Sequence, residues 1–69
     1  MANLHHQVTV AIPFGSLHTT IEWCQKQLEK NWQFHIVEDA DHYTSGLYLF
    51  LFESDKDLTA FMLWQKIYA

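Results

Sequence analysis

The sequence predicts an α+β domain of element order β-α-β-β-α, and three observations lead to it. Residues 7–14 and 32–37 alternate apolar and polar side chains with the period of two that a half-buried strand requires. Residues 47–52 are six apolar residues in succession with no helical punctuation, the pattern of a central strand covered on both faces. The segments 16–31 and 54–68 instead space apolar residues three and four apart behind Ser, Thr or Asp start signals, as helices do. Composition agrees. Of 69 residues, 49% are hydrophobic and 17% charged, with Gly 2, Pro 1 and Cys 1, which excludes a disordered tail, a collagenous chain and a disulfide-stapled miniprotein. What remains is a single domain, 1–69, at the small end of what one core can stabilise, with residues 1–6 as a loosely packed N-terminal tail.

In strand one, Val8, Val10, Ile12 and Phe14 share a face, and Pro13, which cannot donate to a ladder, marks its end. Gly15-Ser16 supplies the turn. Helix one starts either at Ser16 as cap or at Thr19 with Glu22 in a capping box, and ends near Asn31. Its inward stripe is Leu17, Ile21, Cys24 and Leu28. Strand two runs from Trp32 to Val37 with Trp32, Phe34 and Ile36 on one side. The polar, acidic, Gly-terminated stretch 38–46 reads as a long hairpin loop, followed by strand three, Leu47 to Phe52. Ser54 caps helix two, with Asp57 at its third position in a capping-box-like arrangement. From Leu58 to Tyr68 that helix is apolar most of the way round.

A right-handed crossover from strand one to strand three and a hairpin joining two and three give a sheet of order 1-3-2 with both helices on one face. This is a ferredoxin-like, split βαβ arrangement lacking its last strand, whose place is the free edge of strand one. In the even hairpin register Ile36 lies beside Tyr48, Phe34 beside Phe50 and Trp32 beside Phe52, while Gln33, His35 and Val37 join Leu47, Leu49 and Leu51 on the other face. An odd register exchanges the sets. Either way strand three turns three large apolar residues away from the helices, a stripe near the upper limit of what a soluble monomer exposes. Self-association is the expected cover, with His35, Leu47, Leu49 and Leu51 as oligomer interface. The N-terminal segment or the 38–46 loop is the alternative cover.

Four Lys, no Arg and a formal charge of −4 leave no footprint for a phosphate backbone, so nucleic acid is not an expected partner. The aromatic strands therefore read as core and interface, not as a base-stacking platform. One cysteine on a helix points to a buried thiol in a reducing cytoplasm. No signal peptide and no apolar run near the ~18 residues of a membrane span are visible.

The constellations with chemical potential are few. His5, His6, His18, His35 and His42 include no pair at the spacing that places two imidazoles on one ion, and no cofactor motif is present. His35 on the second face, with Tyr43 in the loop, are the only candidates for proton transfer. The carboxylates of 38–41 and 53–57 fall at opposite ends of an antiparallel pair and cannot act together. Cys24 has no cation beside it to make a thiolate. Gly15 and Gly46 read as turn residues.

Residues 48–64, Tyr48-Leu49-Phe50-Leu51-Phe52-Glu53-Ser54-Asp55-Lys56-Asp57 through Phe61-Met62-Leu63-Trp64, resemble the carboxy-terminal strand-helix unit of small proteins encoded by tailed phages of marine cyanobacteria. The resemblance covers about a quarter of the chain and implies a viral or environmental origin with an accessory role inside the host cell; it transfers no activity and no site. From the residues themselves, the leading expectation is a non-enzymatic oligomeric interaction module. Its sheet face serves self-association, and Phe61, Trp64 and Tyr68 form a stripe for partner contact. The alternative is a small dimeric enzyme or binder of an apolar ligand held between sheet and helices, served by His35 or Tyr43.

Overall fold

The computed structural model describes residues 4–68, the last by its backbone alone. The elements are β1 (His6–Ile12), α1 (Leu17–Gln27), β2 (Trp32–Glu38), β3 (Gly46–Phe52) and α2 (Asp55–Tyr68). The domain is α+β, with three strands in the order β1-β3-β2. β3 pairs antiparallel with both neighbours, which corrects the expected crossover. A crossover from strand one to strand three would make those two parallel; instead α1 carries the chain from β1 to β2, and these two run parallel with β3 inserted between them. β1 begins at His6, one residue inside the expected tail, and ends at Ile12. Pro13 and Phe14 lie beyond it, and Phe14 turns out of the core to meet His42, ring centroids 4.5 Å apart.

The even register holds over most of the hairpin. Trp32 stands opposite Phe52, Phe34 opposite Phe50, His35 opposite Leu49 and Ile36 opposite Tyr48. It then slips: Glu38, not Val37, faces Leu47, and Val37 is the extra residue of a β-bulge. On the other side Val8 faces Phe50 and Val10 faces Tyr48, so all three strands send aromatic and β-branched side chains to one face. Both helices pack there. Ile12, Cys24, Tyr48, Phe50, Phe52 and Phe61 are buried, and Val8, Val10, Leu17, Trp23, Leu28, Trp32, Phe34 and Leu58 surround them. Phe61 is the hub, with ring centroids 4.7 Å from Phe50, 5.2 Å from Phe52 and 6.0 Å from Trp23.

Helix α1 starts after Ser16, whose carbonyl accepts from Thr20 N–H although its hydroxyl makes no cap bond. It stops at Gln27, short of the predicted Asn31, because Leu28 is extended (φ −81, ψ 134). The inward stripe is also rotated. Thr20 is buried and Ile21 is not; the hydroxyl of Thr20 donates to Ser16 O at 3.2 Å, which makes a polar side chain tolerable there.

At the start of α2 the Ser54 hydroxyl accepts from Lys56 N–H at 3.2 Å, as a cap should. Asp57 does something else. It is 7% exposed, and its Oδ2 accepts from the backbone N–H of Lys30 at 3.0 Å, so it ties the α1–β2 connection to α2 instead of closing a capping box. Beside it Glu53 N–H donates to Asn31 O, and Asn31 Nδ2 donates to Glu53 Oε2. Gly46 is likewise more than a turn residue. It opens β3, is buried, and a Cβ built on it would lie 2.6 Å from both Ala40 N and the Tyr48 hydroxyl.

Candidate functional site

The second face of the sheet is built by the same period of two that fills the core. With Phe34, Phe50 and Val8 committed to the helices, their neighbours point the other way: Gln7, Thr9 and Ala11 from β1, Leu47, Leu49 and Leu51 from β3, Gln33 and His35 from β2. The leucines are half-buried by strand neighbours, while Gln7, Thr9, Ala11, Gln33 and His35 are exposed. Among the described residues the face is open at its flanks and no other element packs over its centre; residues 1–3, the start of the N-terminal segment expected as an alternative cover, lie outside the described residues. The face carries no lysine and one carboxylate, that of Glu38, brought opposite Leu47 by the bulge. Val37, expected on this face in register, is displaced by that bulge and 60% exposed.

The 38–46 loop does not lie over the leucines. It closes on itself and on the β1–α1 turn. Asp41 Oδ1 accepts from Tyr43 N–H and Thr44 N–H, each at 2.8 Å, and from the Thr44 hydroxyl at 3.1 Å. These donors hold the Asp41 carboxyl below its ordinary pKa. Between loop and turn is an open depression of about 320 Å³ that includes Phe14, His42 and Tyr43. Tyr43 is 94% exposed there, and His35 is not among the residues lining it. The two candidates for proton transfer are thus on different parts of the molecule. Nor does the aromatic layer leave them a chamber: Phe50, Phe52 and Phe61 are each 0% exposed and in ring contact with one another.

Of the predicted partner-contact stripe, Phe61 is enclosed and belongs to the core, a correction that follows from its position directly over Phe50. Trp64 is half-buried and stacks on Trp23, centroids 4.8 Å apart and planes 12° from parallel. The Tyr68 side chain lies outside the described residues. The apolar side chains that α2 does expose are Met62, Leu63 and Ile67. Sequence reasoning missed them because a helix apolar most of the way round does not announce which side is inward; Asp57, buried and bonded to Lys30 N–H of the α1–β2 connection, supplies the missing reference.

The remaining titratable groups are dispersed. His18 Nε2 meets Glu22 Oε1 at 3.0 Å on the exposed side of α1, and His6 Nδ1 lies 3.9 Å from Asp55 Oδ1. Among the described residues no three of His, Cys, Asp or Glu come together as a metal site, and no helix is long and apolar enough to cross a membrane. Cys24 is 0% exposed, and burial pushes its thiol up to about 12. At pH 8 that leaves about a thousandfold less thiolate than the unshifted group would have. Labelling of native protein by a thiol-disulfide reagent at pH 8 is expected to proceed only as fast as the fold opens; rapid labelling without denaturant would contradict this placement. Searched against protein-family models, curated proteins and solved structures, the chain matches none.

Proposed function

We propose that this chain is a non-enzymatic interaction module that works as a homo-oligomer, built on a ferredoxin-like split βαβ unit without its last strand. The observation that carries the reading is the open leucine face of β3. Leu47, Leu49 and Leu51 sit on the side away from both helices, flanked by uncharged Gln7, Thr9, Ala11 and Gln33. A second copy is the occupant that the charge distribution favours. The chain carries a net −4, and a surface nearly free of charge is the part of an acidic molecule that two copies can press together with the least repulsion. The strand neighbours already half-bury each leucine, so covering the rest contributes only a fraction of the roughly 1.5–3 kcal/mol of a whole side chain, summed over three residues in each copy. The same reading gives the protein an accessory, scaffolding role in the cytoplasm, that of a host cell if its origin is viral as residues 48–64 suggest.

Sedimentation velocity tests this. Wild-type protein at about 100 μM is expected to sediment as an oligomer. Leu49→Glu, which places a carboxylate at the centre of the face, is expected to yield a smaller species with unchanged far-UV circular dichroism. A wild type that sediments as a monomer would end the proposal.

A further inference from the structure

The leucine face is not the only unfinished surface; the sheet also has two edges, and they are unlike. The β2 edge is interrupted by the bulge at Val37 and ends in Glu38, the kind of break that discourages strand addition. The β1 edge has no such protection. His6–Ile12 contains no Pro, Lys or carboxylate, and its seven residues pair with β3 without a register shift. Beside it a groove of about 430 Å³ separates Val8 and Val10 from Met62, Gln65 and Lys66 of α2. The Nε2 of Gln65, beside that groove, is shielded from solvent and has no hydrogen-bond partner among the described residues.

We infer that the β1 edge pairs with the β1 edge of a second copy, antiparallel about a two-fold axis near Thr9, joining two three-stranded sheets into one of six strands. This goes beyond the proposed function, since the leucine face alone does not require it. Antiparallel pairing centred on Thr9 sets Val8 opposite Val10 of the second copy, so the helix-facing sides coincide and the leucine faces become continuous. The helices then meet as well. α2 packs over both β1 and β3, so its copy lies two strand spacings away, about 9.6 Å, within the roughly 8–10 Å at which helices pack.

The facing helical surfaces are self-complementary. Asp55, Thr59, Met62 and Lys66, spaced by four, three and four, are all exposed and form one stripe of α2. Asp55 is near His6 at one end of β1, and Lys66 lines the groove beyond Met62. Read against an antiparallel copy, Asp55 stands opposite Lys66 and Thr59 opposite Met62, in both directions. Charge complementarity thus selects a second copy of this chain over an unrelated strand. The helix ends, acidic at the start and basic at the end, also match in this orientation. Met62, 49% exposed in the single chain, is covered.

The test is a charge-swap cycle read by sedimentation at low and high salt on the full chain. Asp55→Lys and Lys66→Asp should each weaken edge association about tenfold or more, and the double variant should recover to near wild type, because its stripe is complementary again. Both residues are exposed, and circular dichroism of the single variants confirms that the fold is kept. Single swaps that associate like wild type overturn the edge, as does a folded double variant that stays as weak as the singles. Leu49→Glu separates the two proposals. If it alone dissociates the protein, the face stands and the edge falls; if the swaps alone dissociate it, the edge stands and the face falls. A wild type that is monomeric throughout removes both.

Discussion

Phe61→Ala is expected to remove most of the protein's stability. The ring is 0% exposed and in contact with Phe50, Phe52, Trp23 and Trp64, so truncation takes away a large buried side chain and opens a void that stacked aromatics cannot collapse to fill. Losses of this kind run to about 3–5 kcal/mol. At roughly 0.05–0.15 kcal/mol per residue, a chain this short holds about 3–10 kcal/mol in all. A urea titration followed by tryptophan fluorescence should therefore show the midpoint moving close to zero denaturant. Leu63→Ala, at a residue 57% exposed on the same helix, should change stability by about 0.5 kcal/mol or less. If Phe61 served partner contact instead of the core, its replacement would alter association and leave the urea midpoint of the dilute protein in place.

Gly46→Ala should be the most damaging single-methyl change in the molecule. The new Cβ would lie 2.6 Å from Ala40 N, 2.6 Å from the Tyr48 hydroxyl and 2.7 Å from Glu38 O. Two of those atoms are backbone and the third tips a buried aromatic ring, so nothing nearby can swing away. A cost of about 1–3 kcal/mol is expected, which lowers the thermal midpoint by roughly 4–8 °C per kcal/mol in a domain of this size. Adding Tyr48→Phe should return part of that loss by removing the hydroxyl contact while the backbone contacts remain. Gly15→Ala provides a contrast: the space around it is open and only its φ of +87° resists a side chain. A melting temperature unchanged by Gly46→Ala would mean that the hairpin end is looser than described.

What could be read directly from the sequence is what alternation controls. Trp32, Phe34, Phe50, Phe52, Val8 and Val10 reach the core face because side chains two apart in a strand must share a side, and the leucines are on the other face for the same reason. The strand order followed from connection rules, although the direction of the β1–β3 pairing did not. Illegible were the features decided by contact between distant segments. The Asp57 carboxylate looks like a helix-start residue until the chain folds Lys30 N–H against it, 27 positions away. Trp23 is one apolar residue on a mixed helix until Trp64 arrives to stack on it. The bulge at Val37 has no local punctuation at all, since no glycine or proline marks it.

That bulge also bears on how large any assembly through the sheet can grow. A sheet with two plain edges adds copies without limit, and the product is a fibre. Here one edge is broken at Val37 and the other is regular, so once two regular edges have met, both outer borders of the joined sheet are the interrupted ones. Extension of the proposed pair along the hydrogen-bonding direction would then be finite, ending at two copies by geometry without a dedicated cap.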